Sequence, residues 1–366
     1  MRIALTLIIG IHGLIHLFGF FKAFVFPGFQ GITQPVSKFA GMIWLLAFLL
    51  FAITLFLYRI RSQAWWLFCC IASITSQVLI LSLWSDAKTG TLVNVVLLLA
   101  VILSYADFRF RKLIEKERSV LFQHLKTIND RIVNAADLSA LPPAVQKWLF
   151  HSGITGKPLI SNVHLTQELE LRLKPGQKKW IKASAEQYFT VHPPAFHWNL
   201  ETKIAPFLSM SGRDKFENGK GEMLIKLFSL FTVAHAKNNA KTDEATIQRY
   251  LAEIVWFPTA ALNDYIQWEG LDDLSARATM EHKGTKGSGI FYFDENGQFE
   301  KFVTTRFMNN KDEEPVKWIV TATETEVRNG IKIPTACEAT WHLNTGQWTW
   351  LKLNIGTIEY NQEIKQ

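Results

Sequence analysis

Two histidines are the first residues whose spacing suggests chemistry, because they lie four residues apart inside an apolar run. His12 and His16 share one helical face with Gly19 and Ala23. Imidazoles at this spacing can share a metal or haem, or relay a proton. The other three apolar runs offer no further His, Asp or Glu as a third ligand, so packing between helices through small residues is the competing interpretation. We therefore expect no cofactor.

Gln77 lies in the third apolar run, on the same helical face as Ser73. His16 and Gln77 each lie thirteen residues into runs that point in the same direction. At a rise of about 1.5 Å per residue, both side chains are expected roughly 20 Å deep. Because a polar side chain in a membrane needs a partner, the sequence predicts a hydrogen bond between His16 and Gln77.

A second pair, Arg249 and Glu253, lies four residues apart in the segment TDEATIQRYLAEIVWF. Its apolar spacing predicts a helix that begins with Thr242 or Asp243 as N-cap and runs to Trp256. The pair is either an ordinary ion pair on the helix surface or a polar group that orients a ligand headgroup. No hydrolase, P-loop, zinc-protease or dinucleotide motif occurs in a suitable context, so the sequence gives no indication of catalysis.

Four apolar runs, 3–26, 40–58, 64–84 and 91–106, must position the histidines. A membrane-spanning helix needs about 17–25 such residues, so these runs predict a bundle of four transmembrane helices over residues 1–106. Eight Lys and Arg residues flank the runs on one side and three on the other. The excess of positive charge predicts that the eight-charge side, and with it residues 107–366, is cytoplasmic.

The distribution of charge argues against nucleic acid as a partner. Residues 1–117 hold ten Lys and Arg against four Asp and Glu, whereas residues 118–366 hold 29 against 28. Phosphate binding needs a concentrated basic face, and the larger part of the chain lacks that excess. Membrane lipids are the expected partners, and the sequence gives no indication of oligomeric state.

After the fourth run, residues 107–137 carry apolar side chains at helical spacing among many charged residues. The pattern predicts an amphipathic stalk helix, with apolar positions at Leu113, Leu121, Leu125, Ile128 and Ile132. Residues 138–366 then form a separate soluble domain.

Within residues 138–366 the apolar period changes to two, which is typical of half-buried strands. Many antiparallel strands and the helix near Arg249 predict an α+β domain, a curved antiparallel sheet or half-barrel with a helix on its concave face. Aromatic side chains either line the hollow or fill the core. The aromatic candidates are Trp180, Phe189, Phe196, Trp198, Phe207, Trp256, Trp268, Trp318, Trp341, Trp348 and Trp350.

Five segments carry a resemblance to a known family: IHGLIHLFGFFKAF, SQVLILSLWSDAKTG, LPPAVQKWLFHSGI, WIKASAEQYF and RYLAEIVWFPTAAL. They resemble an uncharacterised family of bacterial membrane proteins that carries a domain of unknown function. Its soluble domain is similar in pattern to the LolA-like lipoprotein-carrier fold. The resemblance implies an antiparallel half-barrel that binds acyl chains or another apolar ligand, in a multi-pass protein of the bacterial inner membrane.

The leading hypothesis is a membrane-anchored module that binds a lipid-like or other apolar ligand in the half-barrel. The alternatives are a membrane redox protein that uses the His12 and His16 face, and a scaffold that binds no ligand. The residues predicted to line the ligand site are Trp198, Arg249, Tyr250, Glu253, Trp256 and Trp268.

Overall fold

The computed structural model describes residues 2–27, 31–123, 130–309 and 311–362. The chain divides into two compact units, Met1–Arg111 and Lys112–Gln366.

Helices form the first unit, and four of those described are long and apolar enough to cross a membrane. The spanning candidates are α1 (Arg2–Phe24), α2 (Lys38–Arg59), α3 (Trp65–Ser82) and α5 (Gly90–Gln123), with the single turn α4 (Trp84–Ala87) before α5. Small residues bring α1 against α2, since Gly19 faces the ring of Trp44 and Ala23 faces Gly41. A Cβ at Gly41 would lie 2.5 Å from that of Ala23, so the two backbones approach closely here.

The predicted stalk helix over residues 107–137 differs from the structure at both ends. Helix α5 runs for 34 residues without a break at residue 107, so the fourth apolar run is part of a longer helix. At the other end, Arg131–Asn134 are not helical, and Ile132 forms an isolated β-bridge with Pro158. Leu125 and Ile128 lie outside the described residues. The short helices α6 (Ala135–Leu138) and α7 (Pro143–His151) follow.

The described strands of the second unit form one antiparallel sheet of thirteen in the order β6-β5-β4-β3-β2-β1-β13-β12-β11-β10-β9-β8-β7. The first six are β1 (Asn162–Leu171), β2 (Ile181–Thr190), β3 (Ala195–Ala205), β4 (Leu208–Glu217), β5 (Lys220–Leu227) and β6 (Phe231–Ala236). The other seven are β7 (Ile266–Asp272), β8 (Ser275–His282), β9 (Thr285–Phe293), β10 (Phe299–Arg306), β11 (Val316–Arg328), β12 (Ile331–Leu343) and β13 (Gly346–Tyr360). Asn329 and Gly330, both at positive φ, form the tight turn between β11 and β12.

Helix α8 (Ala240–Glu253) lies against strands from both halves of this sheet. Gly221 on β5 and Gly287 on β9 give it room, because a Cβ at Gly287 would lie 2.7 Å from Ile247. The β4–β5 and β8–β9 turns also meet, where the Thr285 hydroxyl donates to the Gly219 carbonyl at 2.6 Å. The sheet therefore curls around α8 as a half-barrel, which is the predicted fold. Gly221 and Gly287 allow the helix to pack closely against the sheet.

Helix α8 begins three or four residues earlier than predicted from Thr242 or Asp243 as N-cap. Its N-cap is Asn239, whose side chain accepts hydrogen bonds from the amides of Lys241 and Thr242. Asp243 instead faces the sheet and accepts from the Gly221 amide at 2.8 Å and from the Lys220 ammonium at 2.9 Å. After α8, two 3₁₀ turns, Ile254–Trp256 and Pro258–Leu262, lead into β7.

A buried ion cluster joins the last turns of α5 to the sheet within the second unit. Glu117 lies 3.1 Å from the guanidinium of Arg213 and 3.2 Å from the imidazole of His197. Arg213, which is 2 % exposed, also contacts Glu222 at 2.7 Å. Two carboxylates thus compensate this buried cation.

Candidate functional site

The predicted pair Arg249 and Glu253 lies inside the half-barrel and is joined by an acid from the sheet. The Arg249 guanidinium donates to Glu253 at 2.8 Å and to Asp214 on β4 at 2.5 Å. The three side chains are only 12–17 % exposed. This is a buried triad, so the interpretation as an ordinary surface pair does not describe its setting.

The pairing of β2, β3 and β4 accounts for the position of Asp214. Gln187 pairs with Trp198, and Trp198 pairs with Asp214, so the three side chains form one inward row. The guanidinium of Arg249 lies 4.7 Å from the centre of the Trp198 ring, within range of a cation–π interaction.

Hydrogen bonds extend the triad across the sheet. Gln187 donates to Glu253 at 2.8 Å, Gln167 donates to Gln187 at 3.3 Å, and the Trp198 indole donates to Gln167 at 2.8 Å. Sequence reasoning missed the role of Gln187, although a glutamine on an otherwise apolar strand face was the available indication. Each buried polar group thereby gains a partner, as burial requires.

Charge and burial oppose each other in this triad. Burial raises the pKa of the Glu253 carboxyl above its usual value, although the ion pair with Arg249 acts in the other direction. Burial disfavours the charged Arg249, but Glu253 and Asp214 outweigh it and raise the pKa of the guanidinium. Arg249 therefore stays protonated and is held in one orientation.

Three other residues predicted to contact ligand belong to the packed core or its edge. Tyr250 is fully buried and donates to the Thr190 carbonyl at 2.9 Å. The Trp256 indole donates to the Pro334 carbonyl, and the Trp268 indole to the Ala261 carbonyl, both at 3.1 Å. The structure therefore brings together Trp198, Arg249 and Glu253 and gives the other three structural contacts.

The candidate aromatic residues divide in the same way. Phe189 and Phe196 are buried beside α8, whereas Phe207 is 77 % exposed at the β3–β4 turn. Trp180 stacks on the guanidinium of Arg172 at 4.0 Å. Four tryptophans lie on β11–β13: Trp318 and Trp341 are buried, and Trp348 and Trp350 are half-buried against the core.

His12 belongs to a network of polar side chains that connects α1, α3 and α5. The ring Nε2 of His12 lies 3.0 Å from the side-chain oxygen of Asn94 and 3.2 Å from the Ser76 hydroxyl. The Asn94 amide nitrogen donates to Gln77 at 3.0 Å, and Gln77 donates to Thr91 at 3.1 Å. Such networks hold helices together in a membrane.

The predicted hydrogen bond between His16 and Gln77 is wrong. The Nδ1 of His16 hydrogen-bonds to the His12 carbonyl one turn earlier, at 2.8 Å. The prediction compared the depth of the two side chains on α1 and α3 and did not consider α5. The partners of Gln77 are Thr91 and Asn94, which both lie on α5. Within the described residues no group of three or more His, Cys, Asp or Glu side chains is placed to hold a metal.

Similar solved structures include a DUF1329 family protein from Desulfovibrio piger, with 10 % identity and a TM-score of 0.37 over 64 % of this chain and 96 % of that one. A LolA superfamily protein from Nitrosomonas europaea has 7 % identity and a TM-score of 0.31, over 63 % and 96 %. A β-barrel-like DUF1849 protein from Brucella abortus has 10 % identity and a TM-score of 0.26, over 56 % and 99 %.

The comparison with curated proteins found no match. A family model described as a family of unknown function, DUF6920, matches residues 139–360. The match includes every strand of the sheet, helix α8 and the Arg249 triad, and it covers more than half of the chain. The sequence resemblance to a family with a domain of unknown function is thereby confirmed, and the chain belongs to the DUF6920 family.

Proposed function

We propose that the half-barrel binds an apolar, lipid-like ligand on its concave face, in a chain anchored to the membrane by α1, α2, α3 and α5. The observation that carries the proposal is a set of large apolar side chains that point inward and remain only half-buried. Trp198 and Met210 contribute from β3 and β4, and Trp348 and Leu351 from β13.

Strand pairing supports the inward direction of these side chains. Met210 pairs with Thr202, on the same face as Asp214, and Trp348 pairs with the buried Trp341. Helix α8 covers part of the concave face, where Phe189, Phe196 and Phe216 are fully buried. A concave, mostly apolar surface with a few polar groups is the usual form of a site for a small ligand.

The polar groups of the hollow favour binding over catalysis. Asp214 and Glu253 both accept from Arg249, and Glu253 also accepts from Gln187. A general base must be free to reach a substrate proton, whereas these carboxylates fix a guanidinium in place. The triad therefore suits a rigid wall of a binding site.

A photoreactive apolar probe tests this proposal on the full chain. The protein is placed in phosphatidylcholine nanodiscs with hexadecanol that carries a diazirine in its chain, and the labelled peptides are mapped after irradiation. We expect labels on β3, β4 and β13 in addition to the apolar helices. Labelling confined to the helices would contradict the proposal.

A variant that fills the hollow sharpens this test. A Cβ at Gly212 would meet Leu200 at 3.7 Å, an ordinary contact, so Gly212→Phe extends its ring into the concave space. We expect it to reduce strand labelling severalfold, while Val327→Phe, at a residue 63 % exposed on β11, leaves labelling unchanged. Equal labelling of Gly212→Phe and the unsubstituted protein would rule out the concave face as the site.

A further inference from the structure

Arg306 is an inward-facing cation on the half of the sheet opposite Asp214. It is the last residue of β10, two and four residues after the buried Thr304 and Phe302, so the three side chains share the concave face. Its guanidinium lies 4.6 Å from the ring centre of Trp318 and 5.9 Å from that of Trp341. Both tryptophans are more than nine-tenths buried.

No carboxylate contacts Arg306 in the part of the chain that the structure describes. Its Nε is buried without a hydrogen-bond acceptor there, and so is the indole Nε1 of Trp318. Arg213 and Arg249, by contrast, are each held by two carboxylates. The cation–π contacts stabilise the charge of Arg306 but leave its buried Nε donor without an acceptor.

The nearest ionised groups act on Arg306 without contacting it. Asp214 and Glu253 attract Arg306 from a distance, while Arg249 repels it, and burial lowers the pKa of Arg306 to about 10. Because that value is above neutral pH, the guanidinium is charged. Both acids are bound by Arg249, so neither accepts a hydrogen bond from Arg306. The Nε of Arg306 thus remains able to donate to an oxyanion.

We propose that the ligand of the half-barrel is an anionic amphiphile, whose carboxylate or phosphate oxygens accept hydrogen bonds from Arg306 while its apolar chain lies along the inward tryptophans. This inference rests on the proposed function and adds the charge of the headgroup. Guanidinium and oxyanion match in geometry, and their hydrogen bonds are roughly twice as strong as those between neutral groups.

Three photoreactive probes with the same chain and diazirine position test the headgroup: hexadecanol, palmitate and hexadecyl phosphate. The full chain in phosphatidylcholine nanodiscs is labelled above the pKa of the palmitate carboxyl and below about 10, the pKa of Arg306. Labelling of α1–α3 in each sample corrects for partition into the bilayer. We expect an anionic probe to label the sheet at least about tenfold more than hexadecanol, and the stronger anion identifies the headgroup.

Variants assign this preference to Arg306. The preference is the ratio of sheet labelling by the anionic probe to sheet labelling by hexadecanol. In Arg306→Gln this ratio should fall close to one, and Arg306→Lys should retain part of the preference. Unchanged hexadecanol labelling in both variants shows that the hollow is intact. Arg277→Gln, at an exposed arginine paired with Glu269 at 2.7 Å, should keep the full preference.

The outcomes separate the two proposals. Equal sheet labelling by all three probes, or an anionic preference that survives in Arg306→Gln, would overturn the inference about the headgroup and leave apolar binding in place. If none of the probes labels the sheet, the proposed function fails and the headgroup inference fails with it.

Discussion

At the scale of single residues, the structure pairs polar side chains that lie far apart in the sequence. The spacing of Arg249 and Glu253 identified one contact of the triad. The contact with Asp214 spans 35 residues and depends on the register between β3 and β4, which no local pattern contains. Arg306 was missed for the same reason, since its setting is made by tryptophans on two other strands.

His164 on β1 provides a test of residue-scale electrostatics. Its imidazole lies 2.9 Å from Glu186 and 3.2 Å from Glu359. The hydrogen bond with Glu186 raises the pKa of His164 above 6.5, burial opposes this, and Glu359 adds to the increase. A raised pKa in the folded state stabilises the fold below 6.5, and this contribution is lost as pH rises through the folded pKa.

We therefore expect His164→Gln to lower the free energy of unfolding by about 1 kcal/mol on the acidic side of 6.5 and by less at alkaline pH. Thermal unfolding of His164→Gln and the unsubstituted full chain, measured once below and once above pH 6.5, checks whether the loss of stability depends on pH. In a Glu186→Gln background most of the pH dependence should disappear. A loss of stability that is the same at both pH values would show that the ion pair contributes little.

At the scale of elements, regular periodicity was sufficient for most of the fold. The alternation of apolar residues predicted an antiparallel sheet, and the apolar face of α8 predicted that helix. The sequence reading missed β7 because its last four residues are exposed on both faces, which removes the alternation. The stalk was misjudged because apolar spacing alone does not show where a helix ends.

Gly287 tests the contact between α8 and the sheet. A Cβ there would lie 2.7 Å from Ile247 and 2.8 Å from Gln248, so Gly287→Val must displace the helix. We expect a loss of about 1–3 kcal/mol in the free energy of unfolding, measured by denaturant titration. Gly212→Ala, whose Cβ meets Leu200 at an ordinary 3.7 Å, is the matched control. Equal stability of the two variants would contradict the close packing of α8 against β9 at Gly287.

At the scale of the whole molecule, the chain combines a helical unit with a larger sheet unit. Lys and Arg residues predict that the sheet unit is cytoplasmic, and the continuous 34-residue α5 agrees with a fourth span. With this orientation, the sheet unit would bind the proposed ligand on the cytoplasmic side. Sequence composition was sufficient to predict the four long helices, whereas the central place of β1 in the sheet depends on pairing across nearly 200 residues.

Cysteine labelling in intact cells tests this orientation. Val327 is 63 % exposed on β11, so Val327→Cys offers an accessible thiol. Cys69 and Cys337 are buried, whereas Cys70 on α3 is half-buried, so the experiment is done in a Cys70→Ser background. We expect a membrane-impermeant maleimide to label it only after the cells are permeabilised. Lys88→Cys, which lies between α4 and α5, should label without permeabilisation. The opposite pattern would place the sheet unit outside the cytoplasm.

The pairing of β1 with β13 has a consequence for synthesis on the ribosome. Strands β1–β6 form one set of consecutive hairpins and β7–β13 another, and strand pairing joins the two sets where β1 meets β13. Each set can assemble as it emerges, but β1 keeps an open edge until the chain has been translated through Tyr360. A nascent chain therefore completes the wall that contains both Asp214 and Arg306 only with its last strand.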